Sequence, residues 1–155
     1  MIRISWFQRW NVVTAVHRAS DIVMTVRAMF GKDTEEKIST DVNKLIRTVL
    51  GLVYVDLRKH NIESQVNLGD QLAPVIGNQV QLQQVILNLV MNAIESINSV
   101  EPRVLSIKSE STKHGTVLVT IADTGGGIDV ANLNHLFKPM FTTKARGMGM
   151  GLSIC

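Results

Sequence analysis

The stretch from Asp123 to Gly151 constrains this chain most, because it joins two glycine clusters through a loop that carries aromatic and basic residues. It reads Asp-Thr-Gly-Gly-Gly-Ile from position 123, Phe-Lys-Pro-Met-Phe-Thr-Thr-Lys from position 137 and Gly-Met-Gly-Met-Gly-Leu-Ser from position 147. Glycine clusters let backbone approach a ligand closely and expose N–H groups that suit phosphate oxygens. The layout therefore predicts a nucleotide pocket in which one carboxylate forms a hydrogen bond with the edge of the base.

Composition narrows the class of protein further. The chain has 155 residues, 45 % hydrophobic and 5 % aromatic, which predicts one domain with an aliphatic core, with or without a helical extension. The net charge of +3 comes from scattered basic residues, so no nucleic-acid partner is expected. The single Cys155 excludes an internal disulfide and fits a reducing compartment. No apolar run reaches the roughly 20 residues that span a bilayer, so we expect a cytoplasmic protein, with an upstream membrane anchor left open.

Hydrophobic spacing predicts an N-terminal helix, a linker and one larger domain. Apolar residues between positions 11 and 30 alternate in steps of four and three, which is a heptad seam. A single amphipathic helix and one strand of a dimerising helical bundle fit this seam equally well. We expect a helix from about Asn11 to Phe30 within an N-terminal segment of residues 1–31, a charged linker over residues 32–40 and the main domain over residues 41–155.

Within the main domain the expected order is helix, strand, strand, helix, strand, strand. The helices are predicted from about Asp41 to His60, capped by Thr40 or Asp41, and from Gln79 to about Ser99, capped by Asn78. The predicted strands are residues 62–68, a short buried strand at 75–76, and residues 104–111 and 116–122, the last two joined by a turn. This order predicts an α+β fold, a two-layer α/β sandwich with a mixed sheet and helices on one face, preceded by the N-terminal helix.

Two asparagines stand out on the second predicted helix. Asn88 and Asn92 are four residues apart, so both side chains project from one side of the helix. Apolar residues flank them, and amides at the edge of a buried face need polar partners. Hydrogen bonds to loop backbone are the simple interpretation. Because the acid–glycine cluster follows, we favour a site for Mg²⁺ and phosphate, with Asn92 and Asn88 as candidate metal ligands.

Asp123 ends the last predicted strand and precedes Gly125 and Gly127. A carboxylate at this point can accept a hydrogen bond from the amino group of adenine, and the glycines let the backbone approach the ring. A plain Asp-Thr-Gly turn is the simple alternative, since Asp-x-Gly alone is a common sequence.

The second glycine cluster holds Gly147, Gly149 and Gly151, beside a helix expected to start near Gly151. Both features favour phosphate oxygens, and Lys144 can reach the same phosphates as a point charge. A flexible linker and a solvated surface lysine are the simple alternatives. Phe137 and Phe141 bracket Pro139, which predicts aromatic side chains that pin one end of a mobile loop into the core.

Together these motifs resemble the ATP-binding domain shared by sensor histidine kinases, DNA gyrase and related ATPases, the Bergerat-type fold. Residues 88–93 resemble the N box of that family, 123–128 its first glycine box, 137–144 its F box and 147–153 its second glycine box. The segments Asn-Ala-Ile-Glu-Ser and Phe-Thr-Thr-Lys are similar to the corresponding segments of histidine kinases of two-component signalling. Residues 1–31 then resemble a remnant of their dimerisation and phosphotransfer domain.

The resemblance implies that the domain binds ATP and Mg²⁺, with Asn92 as the main metal ligand and Asp123 as the hydrogen-bond acceptor for adenine. It also implies that Asn88 and Lys144 are catalytic residues. It places the nucleotide against Asn92, Asp123, Gly125, Gly127, Ile128, Phe137, Gly147, Met148, Gly149, Met150, Gly151 and Leu152. It also implies a lid between the F box and the second glycine box. The γ-phosphoryl group passes to a histidine of the dimerisation domain and then to a response regulator, and a homodimer is expected.

Two features of the sequence refine this expectation. Hydrolytic members of the family carry Glu where this chain has Asn88, and an amide cannot take a proton from water. We therefore expect phosphotransfer with poor intrinsic ATP hydrolysis. No acceptor histidine is evident, because none of the histidines is followed by Glu or Asp: His17, His60, His114 and His135.

The chain stops at Cys155, just inside the helix that follows the second glycine box in this family. An oligomer, an exchanged element or weakened ATP affinity is the expected consequence. Two alternatives to a kinase domain stay open: a non-catalytic nucleotide-binding or dimerisation module, and a gyrase-like ATPase, which Asn88 disfavours.

Overall fold

A computed structural model describes residues 36–97, 101–142, 149 and 151–154. The chain divides into two compact units, Glu35–Asn134 and a second made of Met1–Thr34 with His135–Cys155. Several sequence predictions lie outside the described residues: the N-terminal helix with its heptad seam, the first part of the linker, and Lys144, Gly147, Met148 and Met150.

The larger unit alternates strands and helices as the sequence predicts. Its elements are β1 (Ile38–Thr40), α1 (Val42–Lys59), β2 (Glu63–Leu68), β3 (Val75–Gly77), α2 (Gln79–Ile97), β4 (Val104–Ser111) and β5 (Val117–Asp123). Short 3₁₀ helices follow at Val130–His135 and Leu152–Ile154. Among the helices described, none is both long and apolar enough to cross a membrane.

Both helices begin where the sequence places their caps. The Asp41 carboxylate accepts a hydrogen bond from the Lys44 backbone N–H at 3.1 Å, and the Asn78 side-chain oxygen accepts one from the Gln81 N–H at 2.9 Å. Each bond satisfies a backbone donor that the first helical turn leaves without an intrahelical partner. Asp41, and not the neighbouring Thr40, is therefore the cap of α1.

The strands form a mixed sheet, which confirms the α+β prediction. In the three-stranded sheet β2–β4–β5, β2 runs parallel to β4, with Glu63 opposite Val104, and β5 runs antiparallel to β4. A parallel neighbour requires a long crossover, and α2 supplies it by connecting the segment after β2 to β4. The central position of β4 gives this strand neighbours on both sides.

A second, two-stranded sheet corrects the sequence analysis in two places. Residues 38–40, which fell in the expected linker, form β1 and pair antiparallel with β3. The prediction of a buried strand at 75–76 is wrong for Ile76, whose side chain is 71 % exposed. Ile76 lies opposite Ser39, and both of these residues are exposed.

The core lies between the helices and one face of the mixed sheet. Leu105 and Ile107 of β4 are fully buried, whereas Lys108 between Ile107 and Ser109 faces solvent, as the period of two in a strand requires. The helices bury the matching stripes of aliphatic residues, chiefly Leu45, Ile46, Val49, Val53, Val90, Ala93, Ile94 and Ile97. Val117, Val119 and Ile121 of β5 pack against this core while partly exposed.

One buried polar cluster ties α1 to the sheet. The Ser109 hydroxyl, 1 % exposed, donates to the Asn43 side-chain oxygen at 2.6 Å. The Asn43 amide donates to the Gly69 carbonyl at 2.9 Å, and the Gly69 N–H donates to the Ser109 carbonyl at 2.8 Å. These bonds satisfy polar groups that would be costly to bury alone, so the loop after β2 is fixed against α1 and β4.

Candidate functional site

A polar stripe runs along α2. Gln84, Asn88, Asn92 and Ser96 are spaced by four residues and therefore share one side of the helix, while the opposite side buries aliphatic residues in the core. Asn88 is buried, at 8 % exposure, and the other three are half-buried. The sequence analysis found the two asparagines. It missed Gln84 and Ser96, although the same spacing of four in either direction points to both.

Asn88 is held by its neighbour one turn earlier in the helix. The Gln84 side-chain N–H donates to the Asn88 side-chain oxygen at 2.9 Å. Residues four apart on a helix are close enough for such a bond, and a half-buried setting strengthens it relative to water. The bond therefore holds the Asn88 side chain against that of Gln84.

The acid–glycine turn is fixed at the end of β5. Asp123 is exposed, and one of its carboxylate oxygens accepts a hydrogen bond from the Gly125 N–H at 2.8 Å. Thr124 anchors the turn to β4: its N–H donates to the Val104 carbonyl at 3.2 Å, and its hydroxyl donates to the Pro102 carbonyl and accepts from the Val104 N–H. The carboxylate is thus held at the sheet edge with a second oxygen available for a ligand.

Gly125 brings this turn against the polar stripe of α2. A Cβ at Gly125 would lie 2.0 Å from the Ser96 hydroxyl oxygen and 2.7 Å from the Ser96 backbone carbon, so only glycine fits. Gly126 faces open space, and Gly127 has a φ of +72°, a conformation that favours glycine. The acid turn and the helix that carries the asparagines therefore meet within the larger unit, as the sequence analysis expects.

The F box lies mostly in the smaller unit. Phe141 is half-buried, with its ring centroid 5.6 Å from that of His135. Phe137 is 66 % exposed and Met140 is 80 % exposed. The expectation that both phenylalanines pin the loop into a core is therefore wrong for Phe137. An exposed aromatic ring retains the surface with which it could contact a ligand.

Gly149 of the second glycine cluster packs on the F box backbone. Gly149 has a φ of +67°, and a Cβ there would lie 2.5 Å from the Met140 carbonyl carbon and the Phe141 oxygen. Gly151 and Leu152 are half-buried, and the helix expected near Gly151 is a single 3₁₀ turn at Leu152–Ile154. Gly149 thus contacts residues eight and nine positions earlier in the sequence, within this unit.

The candidate residues fall into two groups. The larger unit holds Asn88, Asn92, Asp123, Gly125, Gly127 and Ile128, the last of them 55 % exposed; the smaller unit holds Phe137, Gly149, Gly151 and Leu152. In the described part of the chain, no three His, Cys, Asp or Glu residues cluster as a metal site would require. The amides of α2 are the oxygen donors that suit Mg²⁺, which takes few protein ligands and completes its shell with phosphate and water.

Comparison with known proteins agrees with this architecture. Residues 77–155 match the family model described as histidine kinase-, DNA gyrase B- and HSP90-like ATPase. The solved catalytic domain of histidine kinase ThkA is 35 % identical, with a TM-score of 0.68, and the alignment covers 77 % of each chain.

Two curated relatives are a sensor protein and a sensor histidine kinase. The sensor protein TdiS of Thauera aromatica is 32 % identical over 92 % of this chain and 27 % of its own length. The sensor histidine kinase TmoS of Ectopseudomonas mendocina is 32 % identical over 94 % of this chain and 15 % of its own length. The chain thus spans about a quarter or less of these two relatives. By sequence and by fold, it belongs to the histidine kinase-, DNA gyrase B- and HSP90-like ATPase family, among the catalytic domains of histidine kinases.

Proposed function

We propose that this chain is the ATP-binding catalytic domain of a sensor histidine kinase, which transfers the γ-phosphoryl group of ATP to a histidine on a dimerisation domain. The contact between Gly125 and Ser96 carries the proposal, because it sets the acid turn against the helix that holds Asn88 and Asn92. An adenine-reading carboxylate and metal-binding amides have to lie within one nucleotide length of each other.

The proposed roles follow from the chemistry of each group. Asp123 accepts a hydrogen bond from the adenine amino group through the carboxylate oxygen that Gly125 does not occupy. Asn92 is the main protein ligand of Mg²⁺, which would offset charge on the phosphates. The family pattern assigns further nucleotide contacts to Phe137, Lys144 and the glycines of the second cluster. Asn88 is a second candidate metal ligand in this scheme.

The partners are also part of the proposal. ThkA, whose catalytic domain resembles this chain, has been solved in complex with the response regulator protein TrrA, at 27 % identity and a TM-score of 0.68 to this chain. We therefore propose a response regulator as the final phosphoryl acceptor, a homodimer as the working assembly, and a cytoplasmic location, where ATP is available.

Asn88 favours transfer over hydrolysis. Its amide has no basic lone pair with which to take a proton from water, so ATP should persist until a histidine acceptor arrives. Two of the described histidines have other surroundings: the His60 ring nitrogen lies 2.8 Å from the Asp56 carbonyl at the end of α1, and His135 contacts Phe141. The third, His114, is exposed in the turn between β4 and β5 and is followed by Gly115 rather than by an acid. We therefore expect the acceptor histidine on a separate domain.

Calorimetry with a non-hydrolysable ATP analogue tests the binding half of this proposal. Wild type should bind more tightly with Mg²⁺ than without it. Asp123→Asn should lose at least about tenfold in affinity, or about 1.4 kcal/mol, because an NH₂ group would then face the donor of adenine. The side-chain oxygen of Asn can still accept from Gly125, so the turn should survive. Unchanged affinity in Asp123→Asn would refute the adenine role.

Transfer to a supplied histidine-bearing domain tests the catalytic half. Labelled ATP should give acid-labile phosphate on that domain and none on this chain. Nucleotide binding without any transfer would favour a non-catalytic module. Rapid release of inorganic phosphate without an acceptor would favour a gyrase-like ATPase.

A further inference from the structure

We propose that the outer face of α1 docks an acidic amphipathic helix of a partner protein. This surface, the α1 docking face, combines one glycine, three large apolar side chains and two cations, all of them exposed: Gly51, Leu52, Tyr54, Val55, Arg47 and Arg58. None of these residues belongs to the candidate nucleotide site, so the inference stands apart from the proposed function.

The apolar part of this face lies within a single turn of α1. Leu52 is 58 % exposed, Tyr54 59 % and Val55 66 %. The opposite side of the helix already fills the core, with Val49 and Val53 almost completely buried. The three exposed side chains therefore add nothing to the core, and a group of large apolar residues on a surface is typical of an interaction site.

Gly51 shapes the middle of the face. Apart from its chain neighbours and the nearby backbone of α1, no atom lies within 4 Å of the position that a Cβ would take. Neighbours on a helix surface are three and four residues apart, so Gly51 lies between Tyr54 and Val55 one turn later. A glycine inside a helix destabilises it relative to alanine. Here it leaves a shallow groove in which a second helix can approach closely, whereas a flat bilayer gains nothing from a groove.

The charges on the face determine the chemistry of the partner. Arg47 and Arg58 are exposed on either side of the apolar residues, and Lys44 adds a third exposed cation. Neither of the ion pairs seen among the described residues involves them. The only acid of α1, Asp56, is half-buried and five positions from Gly51, so it points in a different direction. Carboxylates on a partner helix complement these cations, whereas a second copy of α1 would bring like charges together.

Two synthetic helical peptides of the same length as α1, 18 residues, are the probes. Both carry Leu at the contact positions of the heptad, with Glu at the flanking positions of one and Lys in the other. Fluorescence anisotropy with the full chain should give a dissociation constant on the order of 10–100 µM for the acidic peptide, because one helix face is a small interface. The basic peptide should bind at least about tenfold more weakly, and added salt should weaken the acidic peptide.

Gly51→Leu separates docking from folding. Leucine is the better helix former, so the melting temperature should rise by about 2–4 °C. Its side chain fills the groove, so affinity for the acidic peptide should fall by more than about tenfold. Stability and binding then move in opposite directions, which a merely structural role of Gly51 does not produce. Unchanged peptide affinity in Gly51→Leu would overturn the groove.

Charge reversal tests the cations. The double variant Arg47→Glu with Arg58→Glu should lose the acidic peptide and bind the basic one better than wild type does. Its matched control reverses two exposed lysines elsewhere, Lys37→Glu with Lys113→Glu, and should keep the preference of wild type. If both double variants lose the acidic peptide equally, net charge rather than this face attracts it, and the proposal fails.

The other occupants of this face give different results. Binding to phosphatidylserine vesicles without binding to the acidic peptide would assign the face to lipid. A wild-type dimer that Gly51→Leu dissociates, seen by analytical ultracentrifugation, would assign it to a second copy of the chain. Either result, or a chain that binds neither peptide, overturns the proposal and leaves the nucleotide site unaffected.

Discussion

At the residue scale, Gly125 shows how a single missing side chain can define a site. The hydroxyl and backbone of Ser96 occupy the space that any Cβ at Gly125 would need. The next glycine in the same turn, Gly126, has no atom within 4 Å of the position that a Cβ would take. The two glycines therefore differ in whether they tolerate a side chain. A contact requires glycine at position 125, whereas position 126 has room for a Cβ.

Gly125→Ala should accordingly disrupt the site. We expect a loss of about 1–3 kcal/mol in unfolding free energy, because backbone atoms of α2 cannot yield as a flexible side chain would. Nucleotide affinity should fall as well, since the turn that carries Asp123 must shift. Thermal unfolding and calorimetry measure the two effects. Gly126→Ala is the control, and equal effects from both substitutions would contradict this account of Gly125.

At the element scale, α1 depends on a cap that is remote from the candidate site. The Asp41 carboxylate accepts from the Lys44 N–H in the first turn. Asp41→Ala should lower the unfolding free energy by about 1 kcal/mol, because a first-turn N–H loses its partner. Asp41→Ser should restore most of the loss, and nucleotide affinity should stay unchanged in both variants. Denaturant titration of the three proteins measures this; a Ser variant as unstable as Ala would argue against capping.

The buried cluster between α1 and β4 makes a second element-scale prediction. Ser109→Ala removes the donor to the Asn43 oxygen, which then lies in the interior without this bond. We expect a loss of about 1–3 kcal/mol. Ser111→Ala, exposed at the end of the same strand, is the matched control and should be nearly neutral. Similar unfolding midpoints for the two variants would show that the cluster does not stabilise the fold.

At the scale of the whole molecule, the proposed function depends on the larger unit, in which the acid turn meets α2. A Mg²⁺–ATP analogue should therefore slow amide hydrogen exchange in this unit, over residues 88–97 and 123–128. Exchange measured with and without the analogue tests this, with β2 as an internal control that should not change. Unchanged exchange over both segments would contradict a nucleotide site at the acid turn.

Much of the fold follows from the sequence because its signals are local. The apolar positions of α1 and α2 repeat at helical spacing, and Asp41 and Asn78 cap them through bonds to residues three positions on. Likewise, Gly115, with a φ of +74°, closes the predicted turn between β4 and β5. In each case the causes lie within one helical turn or one hairpin, so a sequence pattern records them directly.

Contacts between residues that are far apart in the sequence could not be predicted from such local patterns. The pairing of β1 with β3 joins segments more than 30 residues apart, and Ile76 in this pair is exposed. The sequence of a short apolar strand does not indicate which of its side chains will be buried. The exposure of Phe137 also depends on what surrounds it, since an aromatic residue in sequence predicts burial on average only.

By itself, the sequence determined the two helices of the larger unit, their caps, the strands of the mixed sheet and the motifs that identify the family. Tertiary structure decided that Ser96 meets Gly125, that Ser109 bonds Asn43, and that β4 stands at the centre of its sheet. The physical reason is range: hydrophobic period, capping and backbone conformation act over a few residues, whereas close packing requires particular atoms from separate elements to occupy adjoining space.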